Sequence, residues 1–308
     1  MPNATVFENE VIIGFETVFG TAPVDGLKFP VVSFSPSVTK AQTTAPEING
    51  SVTDGKPVSG FRSVDLDLVV RVRANAIGHL LKAMFGIPAT VGVSAPYTHT
   101  FAPSTTQGLS ISLEHGLTSL GDYYLATGGK VSSFSISVGG DGDLQATFKI
   151  MAIDYQHAAT SAFSGTVTDL TTETTLLSNF DGSITNGANP TIDQYTVNIN
   201  REIEMFQELD GSEVAALAIE GKFQADGTVQ ALYENDTLLA KARTNASDAF
   251  TGKLVNGTNQ LNFIFPTAVW DETALQADAS TVKQMVTPKF TQFDGFSVEL
   301  INDTASYV

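Results

Sequence analysis

The chain of 308 residues has no cysteine, which removes disulfides, thiolate nucleophiles and zinc–thiolate sites together. It is poor in positive charge: 16 Lys and Arg face 33 Asp and Glu, a net charge of −17 that repels phosphate backbones and anionic membranes. The four histidines, His79, His99, His115 and His157, are scattered, and none stands at metal-ligand spacing from another. No stretch approaches the roughly 20 apolar residues of a membrane span. The start MPNATVFENEVIIGFE lacks a basic segment leading into an apolar one, so neither a cleaved leader nor a membrane anchor is expected. Without a leader, the six Asn-x-Ser/Thr triplets, at Asn3, Asn49, Asn235, Asn245, Asn256 and Asn302, read as composition. There is no Gly-x-Ser-x-Gly elbow, phosphate loop or dinucleotide fingerprint. No enzymatic activity, cofactor or metal is expected.

What is present is a β-rich pattern. Hydrophobic residues at 42%, with 26 Gly and 12 Pro, favour short strands joined by turns. Val64, Leu66, Leu68, Val70 and Val72 alternate with Ser63, Asp65, Asp67, Arg71 and Arg73, a period of two. The spacing predicts a helix over Ala76–Phe85, with Asn75 as its cap, Ile77, Leu80, Leu81, Met84 and Phe85 on one stripe, and Gly86 as its stop. Leu109, Ile111 and Leu113 alternate as another strand. A hairpin runs from Phe134, Ile136 and Val138 through Gly139–Asp143 to Leu144, Ala146, Phe148 and Ile150. Its outward Ser133, Ser135 and Ser137 make one face wet.

The same order recurs about 150 residues later, a length that suits two domains of ordinary size. Tyr195, Val197 and Ile199 alternate with Thr196, Asn198 and Asn200. Leu217–Phe223 is a strand, and Thr228–Arg243 reads as a helix marked by Val229, Leu232, Tyr233 and Leu239. Leu261, Phe263 and Phe265 with Phe296, Val298 and Leu300 finish a sheet. The chain therefore divides into two tandem β-sandwich or barrel modules, 1–165 and 166–308, each with one flanking helix, joined within the Thr-, Ser- and Asn-rich stretch from Ala158 to Thr191.

The polar stretch from Ser35 to Gly60 is about 25 residues, too long for an ordinary connection inside a compact domain. It is expected to be an arm that orders on a neighbouring subunit, with Thr43, Pro46, Ile48, Val52 and Pro57 as contact candidates.

Other chemistries have plainer readings. Asp141 and Asp143 among glycines lack the spacing and closing Glu of a calcium loop and read as a turn. Asp65 and Asp67 could imitate a glycosidase pair, but same-face strand neighbours roughly 7 Å apart more simply make a solvated face. Trp270 reads as core. A non-catalytic adhesin or carbohydrate-binding β-sandwich would share the acidity and the strands, yet it would normally show clustered aromatic residues.

Several strings together resemble the tail tube proteins of long-tailed bacteriophages, in the variant with two tube domains in one chain. Gly14-Phe15-Glu16-Thr17-Val18-Phe19-Gly20-Thr21 is similar to a G-x-E-x-x-x-G-T opening. Phe29–Phe34, Gly60–Arg62, Ile77–Gly86 and Tyr97–Phe101 resemble, in order, the first strand, the strand and helix pair, and the strand that follows. The resemblance implies sheets joined edge to edge into a barrel. It implies threefold rings of pseudo-sixfold symmetry, or hexameric rings, stacked as a conduit for double-stranded DNA in transit. It also implies a virion tail component, assembled in the host cytoplasm with tape measure, tip and terminator proteins as partners. Under it, the polar rows Asp65, Asp67, Ser133, Ser135, Ser137, Asn198 and Asn200 face either the channel or the outer solvent. Asp65 and Asp67 are assigned to an acidic channel wall that keeps DNA mobile.

Overall fold

The protein, seen as a computed structural model, is described for residues 9–44, 55–106, 108–140, 142–186, 191–234, 236–271 and 284–307. Its first half carries β1 (Asn9–Phe15), β2 (Gly26–Lys28), β3 (Val31–Thr43), β4 (Val58–Arg71), α1 (Ile77–Phe85), β5 (Ala89–Val91), β6 (Tyr97–Phe101), β7 (Ile111–Leu117), β8 (Asp122–Gly139), β9 (Gln145–Ala152), β10 (Asp154–Ala158) and β11 (Val167–Asp169). The second half carries β12 (Gly182–Asn186), β13 (Ile192–Phe206), β14 (Leu217–Leu232), α2 (Thr237–Arg243), β15 (Ser247–Asn256), β16 (Asn259–Trp270), β17 (Met285–Val286), β18 (Lys289–Gln292) and β19 (Ser297–Asn302). The fold is mainly β, as the alternation predicts.

One long antiparallel sheet runs β3, β4, β9, β8, β13, β14 and β18. A second layer runs β12, β15, β16, β19, β6 and β5. The layers meet through their apolar faces, where Phe134 of β8 stacks on Phe263 of β16 at 5.8 Å between centroids. A third group of strands, β10, the start of β8, β7, β1, β2 and β11, covers the flank of the first half. The strand β8 belongs to both systems. Asp122–Gly129 pairs with β7, and Lys130–Gly139 pairs with β9 and β13.

The two halves are knitted together by β8 with β13 and by β6 with β19. One apolar cluster spans them, and within it Phe85 of α1 stacks on Phe223 of β14 at 5.2 Å. Trp270 is in this core, edge-on to Phe250. In each half a long hairpin precedes a helix: β3–β4 then α1, and β13–β14 then α2.

Three expectations are corrected. The helix expected over Thr228–Arg243 begins only at Thr237. Val229 and Ala231 alternate with Thr228 and Gln230 and continue β14, because β13 on one side and β17 and β18 on the other complete the ladder of this segment. Ala76, not Asn75, stands at the start of α1. The Asn75 side chain is used elsewhere: its amide donates to Glu173 at 2.8 Å, and its oxygen accepts from the Asp303 amide and the Thr304 hydroxyl, both at 3.3 Å. In the stretch from Ser35 to Gly60, residues 35–43 and 58–60 are strand and not irregular chain. They belong to the two sides of the β3–β4 hairpin, and Pro36 is accommodated because β3 is an edge strand.

Candidate functional site

The hairpin register decides where the polar rows stand. Paired residues of an antiparallel ladder share a face. One row therefore runs Ser35, Asp67, Lys149, Ser133, Asn200 and Gln224 across six strands. The neighbouring row runs Thr147, Ser135, Asn198, Asp226 and Thr291. Asp65 joins the same face beside Ser37, and Ser137 joins it beside Thr196 and Thr228. All seven candidates read from the sequence thus lie on one continuous face, opposite the buried row of Leu68, Phe148, Phe134, Ile199 and Ala225.

This face is stitched by side-chain hydrogen bonds. Asn198 donates to Asp226 at 2.9 Å, Gln194 donates to Ser137 at 2.7 Å, and the hydroxyls of Thr196 and Thr228 are 2.7 Å apart. It is not a wall of carboxylates. Asp65, Asp67 and Asp226 share it with Lys149, Lys289 and Arg71, and Arg71 is paired with Asp143 at 2.7 Å. Hydroxyl and amide groups dominate, so the acidity expected here resides elsewhere.

It resides at the end of the sheet where both long hairpins project. Between Glu202 and Glu213 lie five acids, Glu202, Glu204, Glu208, Asp210 and Glu213, with no Lys or Arg. All five are exposed. Four apolar side chains accompany them in the open: Phe206 at 48%, Leu209 at 97%, Leu217 at 42% and Ile219 at 45%. Sequence reading missed this second arm. Its signal was the turn at Asp210-Gly211 between two apolar runs, which alternation alone did not distinguish from any other hairpin.

The two arms touch. Lys40 of β3 pairs with Glu213 at 2.6 Å, and the Arg62 amide donates to the Glu213 carbonyl at 2.9 Å. Between them lies an open groove of about 400 Å³ lined by Gly60, Phe61, Glu208, Leu209 and Ser212 among others. Thr43 and Pro57 are exposed at the end of the first arm. Pro46, Ile48 and Val52 lie outside the described residues.

At both ends of the long sheet a backbone edge is open. Among the described residues β3 pairs with β4 alone, and Leu217–Gln224 of β14 pairs with β13 alone. Exposed edges of this kind are templates for pairing with another chain.

The histidines do not converge. His99 is buried and bonded to Thr90 and to the Thr304 carbonyl, His115 packs on Phe34, and burial with the charge of Lys82 pushes His79 down to about 4. Among the described residues no group of three or more His, Asp or Glu could hold a metal ion, and no helix is long and apolar enough to cross a membrane.

The Gly14–Thr21 string proves to be a built turn. The Glu16 carboxylate accepts from the Gly20 amide at 2.8 Å, the Ser112 hydroxyl at 2.6 Å and the Gly128 amide at 2.7 Å. Gly20 has φ of +75°, a conformation that suits glycine. No curated protein matches the chain. A family model described as phage tail tube protein matches residues 8–295, nearly the whole length. With its open-edged sheet and its paired arms, the chain belongs to the phage tail tube protein family and is a structural component of the virion tail.

Proposed function

We propose that the chain polymerises into rings that stack as the tail tube and conduct the genome into the host. The observation that carries this reading is the long sheet with unpaired edges at both ends, β3 and the Leu217–Gln224 part of β14. A head-to-tail contact between two different edges closes into a ring when the rotation per copy divides a full turn. The recurrence of hairpin then helix in each half supports two tube modules, 1–165 and 166–308, so three chains would give a ring of pseudo-sixfold symmetry.

The continuous polar face then lines the channel, with Asp65, Asp67, Ser133, Ser135, Ser137, Asn198 and Asn200 in the wall. A surface of hydroxyls and amides with balanced charge gives the phosphate backbone no cluster of cations from which to displace counterions. The two arms, with their exposed apolar and acidic side chains, contact the next ring. Tape measure, tip and terminator proteins complete the assembly, which takes place in the host cytoplasm before the tail is joined to the virion.

Negative-stain microscopy of the purified chain, alone and with the other tail components, tests the reading. Rings or tubes are expected. A chain that stays monomeric in every mixture overturns it.

A further inference from the structure

Lys82 lies in the last turn of α1 and is only 6% exposed. Lysine is almost never this deeply buried unless it is paired. The other deeply buried cations obey that rule: Lys130 and Arg201 share the carboxylate of Glu220. The Lys82 ammonium makes no hydrogen bond and no ion pair among the described residues. Its Nζ stands 4.1 Å from the centroid of the Phe15 ring, and its titratable neighbour is a base, His79, whose proton affinity it lowers further. Burial lowers the pKa of Lys82 itself, with no acid beside it to oppose the shift.

The ammonium is nevertheless not completely shut off from solvent. The described side-chain atoms shut off from solvent without a partner are Arg73 Nε, Arg201 Nε, Asn259 Oδ1, Asn262 Oδ1 and Trp270 Nε1, and Lys82 Nζ is not one of them. That arrangement leaves a cation against an aromatic ring with no carboxylate on it.

We propose that Lys82 receives the carboxylate of an Asp or Glu side chain from a second copy of this chain when the copies assemble. The inference rests on the ring-forming reading. The second copy is the favoured occupant because the chain holds 33 acids against 16 Lys and Arg and displays five exposed acids on one arm alone. Closing the interface excludes water, so a charge-assisted hydrogen bond there is stronger than one in open solvent.

The test uses tubes assembled from a mixture of unlabelled and ¹⁵N-labelled full-length chains, treated with a carbodiimide and read by mass spectrometry. An isopeptide between Lys82 of one isotopic form and an acid of the other is expected. Lys82→Met, which keeps the stem and loses the charge, should raise the critical concentration for assembly on the order of tenfold without lowering the melting temperature of the monomer. Lys82→Arg should restore much of the loss. Tubes in which other lysines cross-link between copies but Lys82 does not, together with normal assembly by Lys82→Met, overturn the inference and leave the ring reading intact. Absence of tubes from every form removes both.

Discussion

Lys130 of β8 and Glu220 of β14 form an ion pair of 2.9 Å with both side chains buried, and Arg201 of β13 holds the other oxygen of the same carboxylate at 2.6 Å. The Gly108 amide also donates to Glu220 at 2.6 Å, and the Gly108 carbonyl accepts from Lys130 at 2.5 Å. A strand of the first half, a hairpin of the second and the loop after β6 therefore meet at one carboxylate. Removing it leaves two cations buried without a counter-charge. Glu220→Ala should cost about 3–5 kcal/mol, measured by urea unfolding. Replacing all three charged residues by apolar ones of similar size should cost far less, because no charge is then stranded.

Glu16 satisfies three buried or partly buried donors. Glu16→Ala should destabilise the chain by at least about 1–3 kcal/mol, the range for a stranded buried group, with a lower urea midpoint and an unchanged slope. A midpoint within error of the parent would show that water replaces the carboxylate.

His79 stays neutral in the fold down to about pH 4, whereas the unfolded chain protonates it near 6.5. Above that value both states are neutral and the group contributes nothing to the pH dependence. Between pH 6.5 and 4 the unfolded state binds the extra proton, so stability falls as pH falls, by as much as about 3 kcal/mol. Urea midpoints across this window should drop more steeply for the parent than for His79→Gln.

Deleting Ala41–Lys56 from the first arm should leave a folded chain, since Val31–Thr43 is exposed over nearly its whole length and adds little to the core. Assembly should be lost, as read by sedimentation. Tubes of normal length from the deletion would remove this arm from the contact between rings.

Asp65→Lys with Asp67→Lys would turn the polar face cationic beside Lys149. The exposed positions should accept the change with intact assembly, while DNA release from particles slows at low salt and recovers at high salt. Normal release at low salt would place the two residues away from the genome's path.

The parts of this fold that sequence exposes are those with a clean period. β4, the β8–β9 hairpin and β13 were legible because buried residues alternate with less buried ones over Val64–Arg71, Phe134–Val138, Leu144–Ile150 and Tyr195–Asn200, and the seven polar candidates share a face for the same reason. The failures have distinct causes. Thr228–Leu232 mixes apolar residues at both helical and strand spacing, and only its partners β13, β17 and β18 decide. The charge of the polar face was misjudged because Lys149 and Lys289 lie far from Asp65 and Asp67 in sequence and reach them only through register. The second arm carried no anomaly of length, so nothing marked it as a projection.

The single strand β8 runs without a break from the flanking layer into the long sheet. A load on the polar face is therefore not carried to the flanking strands by side-chain contacts alone, which yield when layers slide. It travels along a covalent backbone, with the ladders on either side loaded in shear. In engineering terms β8 is one tie-bar through the wall, and the short junctions from β9 to β10 at Ile153 and from β2 to β3 at Phe29–Pro30 are two more that bind the same layers.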